Sequence, residues 1–351
     1  MKTVHLGIIG CGVVGQKLLE GASGDSTIRI AAVADLREHA ARETAARFKA
    51  DAAYTDADAL LADSRVEGVV LAMPTTGRAE IALRALARGK HVLIEKPVAM
   101  NAAEARRILG AQGDLLVGCC SGRFRTLEHA TIVTRLIESG ALGELRMLQS
   151  RVVYPADERP VVPAPAWRFK KSLNGGGILV DAGCYDLDYL LGLCGWKLKP
   201  KLVLAQTWRT PPLFETHIAP GSDAEAHVVA MIRCENGAVI QLERGESTTL
   251  PHEEAWRIIG THGSLRLQMT PVDDHKIFFD EGDAAKGVVS HVLWQGKVDW
   301  MSGHRGIIRD FAAAIREGRP PRTNIEQALV VQQVCDAIYE SAKQGNAVNV
   351  S

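Results

Sequence analysis

Val4-His5-Leu6-Gly7-Ile8-Ile9-Gly10-Cys11-Gly12-Val13-Val14-Gly15 is the stretch that decides the fold. A short apolar run with no wet face enters a Gly-x-Gly-x-x-Gly fingerprint, which opens a helix. In such a strand–turn–helix the first glycine permits the tight turn. The second lets a pyrophosphate approach the backbone, and the third lets helix pack closely on strand, leaving the phosphates at the helix N-terminus. Asp35 closes the next β-rich run, 20 residues beyond Gly15. Its carboxylate is placed to accept hydrogen bonds from an adenosine ribose and repels a 2′-phosphate. Gly10, Cys11, Gly12, Val13, Val14, Gly15 and Asp35 therefore predict a nicotinamide dinucleotide site. NAD is the expected cofactor. Arg37, two residues on, keeps NADP open, because a guanidinium there can meet a 2′-phosphate.

Outward from this motif, residues 4–9, 28–34, 68–72, 91–94 and 115–119 read as uniformly apolar strands. Helical patterns at 37–48 and 78–88 alternate with them, the second closed by Gly89. Asn101 with Glu104 forms a capping-box signal for another helix. Doubly buried strands alternating with helices predict a doubly wound parallel sheet over residues 1–122, a Rossmann domain. Beyond that point the grammar changes. A helix is expected over 126–139, ended by Gly140, then a long strand over 144–154 and an irregular segment holding Pro155, Pro160, Pro163 and Pro165. Strands at 226–234 and 238–244 flank Asn236-Gly237, a strong hairpin signal. Residues 123–351 thus predict an α+β domain with a large, mostly antiparallel sheet and a few helices. Its closing helices, within 301–345, are expected to pack back toward the first domain.

Lys+Arg and Asp+Glu are both 41 in 351 residues, so the formal charge is zero, which argues against nucleic acid as a partner. No run approaches the ~18 apolar residues needed to span a bilayer. The seven cysteines include no Cys-x-x-Cys pair, and with the short apolar N-terminal run read as a strand rather than a leader, the expected home is cytoplasmic. The eleven histidines show no metal-ligand spacing, so no metal is expected, and His252, His262 and His304 read as structural or solvated.

Two segments carry reactive groups. His91-Val92-Leu93-Ile94 runs into Glu95-Lys96-Pro97, placing a lysine at the carboxyl end of a parallel strand, where ligands bind in such sheets. Gly175-Gly176-Gly177 precedes an apolar helix on which Asp181, Tyr185 and Asp188 fall at i, i+4 and i+7, predicting one polar face. Spacing alone leaves a buried structural network and a ligand site equally open for that stripe.

With Ala72-Met73-Pro74-Thr75, these motifs resemble the glucose–fructose oxidoreductase/inositol dehydrogenase (Gfo/Idh/MocA) family. The resemblance runs nearly end to end, including Trp167-Arg168 and the C-terminal helices. It implies a Rossmann domain followed by an α+β domain whose open-faced sheet binds substrate and mediates oligomerisation, and NAD(P)-dependent hydride transfer at a secondary alcohol or ketone of a sugar, polyol, glycoside or related small molecule. It implies cofactor contacts at Ala72, Pro74, Thr75, Glu95 and Lys96, and Lys96 and Asp181 in the catalytic pocket. A cis Lys96–Pro97 bond is compatible with it. Arg123, Trp167, Arg168 and Lys170 match positions where family members build the sugar pocket, Trp167 as a stacking surface. Two positions depart from the usual pattern. Tyr185 and Arg78 stand where histidine is common; sugar reductases and dihydrodiol dehydrogenases of the family also carry the tyrosine. The catalytic expectation is Tyr185 as proton carrier, Lys96 holding the substrate oxygen and tuning Tyr185, and Asp181 orienting both. A phenol of intrinsic pKa near ~10 needs such a cation. A homodimer or homotetramer is expected. The rival readings are an NAD-dependent glycosidase working by transient oxidation and a non-catalytic sensor on the same fold.

Overall fold

Strands β1 (Val4–Ile9), β2 (Ile28–Ala34), β3 (Ala52–Tyr54), β4 (Gly68–Leu71), β5 (His91–Ile94) and β6 (Val117–Cys119) form a sheet of order β3-β2-β1-β4-β5-β6, parallel throughout. The order reverses between β1 and β4, which creates a ligand crevice at the carboxyl ends of those strands. Crossover helices α1 (Val13–Ala22), α2 (Glu38–Phe48), α3 (Ala57–Ala62), α4 (Arg78–Ala87) and α5 (Ala102–Ala111) connect the strands. Alternate strand residues explain why both faces are dry. Ile9, Ala32, Val69, Leu71 and Ile94 pack with Leu60, Ala82 and Ile108, while Leu6, Ile8, Val33 and Leu93 pack with Leu18, Leu19 and Phe311. Asn101 caps α5 by accepting from Glu104 N–H at 3.0 Å, and the Glu104 carboxylate reaches back to Met100 N–H.

This computed structural model describes residues 2–162 and 166–351, the side chains at 166 and 167 apart. The chain divides into two units, Met1–Leu127 with Trp300–Leu329, and Glu128–Asp299 with Val330–Ser351. In the first, the later helix Met301–Glu317 lies on the α1 side of the sheet, where a Cβ on Gly21 would stand 2.8 Å from Arg305 Cα. A short 3-10 turn, Cys120–Thr126, also belongs to this unit. It contains the expected boundary at 122 and delays the next helix from 126 to Glu128. The reason lies in one side chain. Arg125 is buried and donates to Thr323 Oγ1 and Arg322 O, so the chain must first seat it. Strand β3 and helix α3 are additions to the sequence reading.

The second unit is built on nine strands: β7 (Leu145–Pro155), β8 (Pro200–Trp208), β9 (His227–Cys234), β10 (Val239–Thr248), β11 (Glu253–Gly260), β12 (Gly263–Leu267), β13 (His275–Asp283), β14 (Gly287–Gly296) and β15 (Val348–Asn349). Their order is β14-β13-β12-β11-β7-β10-β9-β8-β15, antiparallel except where β10 runs parallel to β7. The Asn236-Gly237 signal is realised as the β9–β10 hairpin, with Gly237 at φ 87°. Along β9, Val228, Ala230 and Ile232 are buried while Met231 is exposed, the alternation of a sheet with one covered face. Helices α6 (Glu128–Glu138), α7 (Lys171–Asn174) and α8 (Cys184–Leu193) belong here, with most of the last long helix, Ile325–Gln344. All seven cysteines are buried, and none is in a disulfide. No helix among the described residues is long and apolar enough to cross a membrane.

Candidate active site

In the first unit, the glycine fingerprint folds as its chemistry demands. Gly10 has φ 103°, and a Cβ there would meet Ala72 O at 2.4 Å. A Cβ on Gly15 would meet Gly10 O at 2.0 Å, so helix α1 lies directly on the turn. Gly12 differs: nothing lies within 4 Å of its Cβ position, Val13 beside it is 72% exposed, and no side chain caps α1. The helix start is an open cradle of the size and polarity that a pyrophosphate fits. Cys11 is buried, and its N–H donates to Asp35 Oδ2 at 3.0 Å, tying the second strand end to the cradle. Asp35 Oδ1 accepts from Arg37 N–H and Nε at 3.0 and 3.2 Å. Burial raises the Asp35 pKa, but these bonds and the Arg37 charge outweigh it, and the carboxylate sits below its ordinary range.

Facing the same crevice, the β4 and β5 ends are joined by a residue whose role the sequence did not disclose. Arg78 is buried, and its guanidinium donates to Met73 O, to Glu95 O at 2.6 Å and to Pro97 O at 2.5 Å. It staples the Ala72–Pro74 turn to the Glu95-Lys96-Pro97 turn by satisfying carbonyls that no sheet partner reaches. Pro74 is exposed and Thr75 fully buried on that turn, and the Lys96–Pro97 bond is cis. Lys96 is half-buried, and its N–H donates to Glu95 Oε2 at 3.0 Å.

Glu95 is almost fully buried and is engaged from within. Arg123 Nη2 lies 3.3 Å from both of its carboxylate oxygens, and Arg123 Nη1 meets His304 Nε2. Burial alone would raise the Glu95 pKa; the Arg123, Lys96, Arg78 and His304 neighbourhood reverses the sign and holds it ionised. Arg123, expected at the substrate, thus has a structural reason to be elsewhere. Its guanidinium is 4% exposed and already committed to Glu95 and His304.

In the second unit, the three glycines before α8 have separate causes. Gly175 is left-handed at φ 84°. A Cβ on Gly176 would stand 1.8 Å from the Tyr339 hydroxyl, and one on Gly177 1.9 Å from Glu225 O. The buried Glu225 carboxylate accepts from Gly177 N–H, Leu179 N–H and Tyr339 OH at 2.8 to 3.1 Å. It caps a helix start that has no capping side chain of its own, a role invisible in the local pattern.

The helix does not begin regularly. Residues Leu179–Gly183 form a π-turn, with Cys184 N–H bonded to Leu179 O, so one extra residue enters the turn that carries Asp181. The three polar residues expected on one face differ in exposure. Asp181 and Tyr185 are half-buried, while Asp188 is sealed at 0% exposure. Arg168 Nε donates to Asp181 Oδ2 at 2.7 Å, and its Nη2 donates to Glu246 Oε2 at 2.9 Å. Lys170 is exposed and does not join this network, and the Trp167 side chain lies outside the described residues. Glu246 was missed although a signal existed. Ile240 and Leu242 are buried, and period-two alternation carries Arg244 and Glu246 onto the same face of β10. Two charged residues continuing a buried face call for internal partners. Arg244 finds Asp186 at 3.5 Å, and Glu246 finds Arg168. Among the described residues, no three His, Cys, Asp or Glu side chains come together as metal ligands.

Residues 4–113 match the model of an oxidoreductase family with an NAD-binding Rossmann fold, and residues 131–266 match that of the GFO/IDH/MocA C-terminal domain. The chain is 27% identical over 352 residues to levoglucosan dehydrogenase of Pseudarthrobacter phenanthrenivorans, covering 91% of this chain and 88% of that protein. It is 27% identical over 353 residues to D-xylose 1-dehydrogenase (NADP(+)) 2 of Haloferax volcanii, covering 98% and 99%. A solved levoglucosan dehydrogenase complex with NADH superposes over 100% of both chains with a TM-score of 0.84 at 25% identity.

Proposed function

The chain belongs to the Gfo/Idh/MocA family of NAD-binding oxidoreductases, and from that premise we propose that it interconverts a secondary alcohol and a ketone on a neutral sugar, polyol or glycoside. Gly10 to Gly15 and Asp35 hold the dinucleotide, and the Ala72–Thr75 and Glu95-Lys96 turns border its reactive end. The nicotinamide, when bound, takes or returns the hydride. Lys96 hydrogen-bonds the substrate oxygen, Tyr185 carries its proton, and Asp181 orients these groups with Arg168 as its anchor. Arg78 and the Glu95–Arg123 pair act as positioning residues for Lys96. The observation that carries the reading is that Asp181, within the π-turn, and Tyr185, in the first turn of the otherwise buried α8, are both half-buried. Two further features belong to the proposal: a homodimer or homotetramer, and a cytoplasmic home, which suits seven cysteines without a disulfide.

The test is a screen of NADH and NADPH formation over polyols, aldoses and glycosides. Net reduced cofactor with at least one of them, lost in Lys96→Ala while dinucleotide binding persists, supports the reading. Glycoside cleavage without net reduced cofactor defeats it in favour of transient oxidation.

Cofactor choice has its own test. Because Asp35 both repels a 2′-phosphate and occupies Arg37, Asp35→Ser removes a charge and releases a guanidinium. The NADP-to-NAD ratio of kcat/KM is expected to rise about a hundredfold, as removing a like-charge clash of a few kcal/mol requires. An unchanged ratio would show that Asp35 does not read the ribose.

A further inference from the structure

The second unit holds a cleft of about 590 Å³, within the size range of small-molecule sites. Its wall includes Trp208, Pro211, His227, Glu246 and Ser247. Trp208 is 47% exposed, and its ring is steadied by His227 at 5.3 Å between centroids. Glu246 Oε2 is held by Arg168, whereas Oε1 is screened from solvent and meets no donor among the described residues. A buried acceptor left without a donor beside a cleft marks where a ligand hydroxyl or a water is wanted. The backbone is shaped for that position. The register of β10 against β7 breaks between Gly245 and Thr248, and Ser247 has φ 54°. A left-handed non-glycine residue is strained, and such strain concentrates at ligand clamps.

We propose that this cleft is a second substrate subsite, taking a neutral hydroxylated ring linked to the ring that is oxidised. Trp208 offers its face to the apolar side of that ring, and Glu246 accepts from one of its hydroxyls. Glu215 and Glu246 against the single Arg209, itself donating to Ser222 O at 2.8 Å, make the wall unfavourable for phosphate or carboxylate ligands. Arg168 joins Glu246 directly to Asp181, so the subsite adjoins the catalytic helix. The substrate class is thereby narrowed to two-ring glycosides; this rests on the carbohydrate dehydrogenase reading.

Isothermal titration of the NADH complex with cellobiose, maltose, lactose and sucrose, each against its component monosaccharides, tests the subsite without needing turnover. At least one disaccharide is expected to bind tenfold or more tightly than its components. Trp208→Ala is expected to erase that advantage and leave monosaccharide binding within twofold; Glu246→Gln is expected to weaken the disaccharide at least fivefold. Equal binding of all disaccharides and monosaccharides overturns the subsite, as does an advantage that survives Trp208→Ala. Intact disaccharide preference with no alcohol oxidised in the cofactor screen would strike the dehydrogenase reading and leave the cleft assignment standing.

Discussion

Tyr185→Phe is expected to lower kcat by 10² to 10⁴-fold, the usual contribution of a positioned proton carrier. The substitution keeps the ring and removes only the hydroxyl from a half-buried position on α8. Packing of the helix is carried elsewhere, by Leu187, Leu190 and Leu191, all fully buried, and by the Glu225 cap at its start. In the proposed reading the dinucleotide is held by Gly10 to Gly15 and Asp35, so NADH binding measured by fluorescence titration should stay within about threefold of wild type. Asp181→Asn should be milder in structure but still costly in rate. It retains an oxygen for Arg168 Nε while removing the charge that the guanidinium balances at 2.7 Å. A Tyr185→Phe enzyme turning over within threefold of wild type would remove Tyr185 from the mechanism and leave Lys96 as the proton carrier.

Much of this arrangement is legible in the chain, and the rest is not, for reasons that differ by residue. The Gly-x-Gly-x-x-Gly turn is legible because its spacing is fixed by close packing at Gly10 and Gly15, where carbonyls lie within 2.4 Å of an added Cβ, and by the open space at Gly12. The β9–β10 hairpin is legible because Asn236-Gly237 joins strands close in sequence. The parallel β7–β10 pairing is not, since hydrophobic alternation tells which face is buried and not which distant strand lies beside it. The same limit hides Glu225. Nothing near it announces a helix start 48 residues away, although Gly176 and Gly177 record the close approach of Tyr339 and Glu225. Asp181, Tyr185 and Asp188 show a third kind of limit. Their spacing assumes 3.6 residues per turn; the π-turn at Leu179–Gly183 breaks it between Asp181 and Tyr185, while Tyr185 and Asp188 keep regular spacing on α8 and differ in burial, which spacing does not tell.

Acid should destabilise the two units unequally, the nucleotide-binding unit first. His304 there is 2% exposed, and burial followed by the Arg123 charge pushes its pKa down to about 4, with Lys17 adding and Glu95 opposing. Since Arg123 always keeps its protons, His304 Nε2 must accept, and the ring folds neutral. The sign follows from the depressed value. Full stability is present above the unfolded pKa of about 6.5 and drains away as pH falls toward 4, at about 1.4 kcal/mol per pH unit and up to ~3 kcal/mol in all. His91, half-buried in the same unit with its pKa lowered mainly by burial, acts in the same direction. Glu95, held below its ordinary value, adds a further loss once pH passes below about 4.5. The second unit contains an equivalent histidine, His129, fully buried against Trp294 and pushed to about 4 chiefly by burial. It also contains Asp186, which burial raises to about 6 despite Arg244. A raised carboxyl binds its proton more tightly in the folded state, so between pH 6 and about 4 it returns much of what His129 loses. Hydrogen exchange read by peptide at pH 7, 5.5 and 4.5 should therefore show protection falling first in β1, β4 and β5, with β9 and β10 holding. His304→Gln keeps an acceptor for Arg123 and removes the titration, so it should flatten the acid slope of the first unit. Equal loss of protection in both units, or a His304→Gln protein with the wild-type slope, would show that these buried histidines do not set the acid limit.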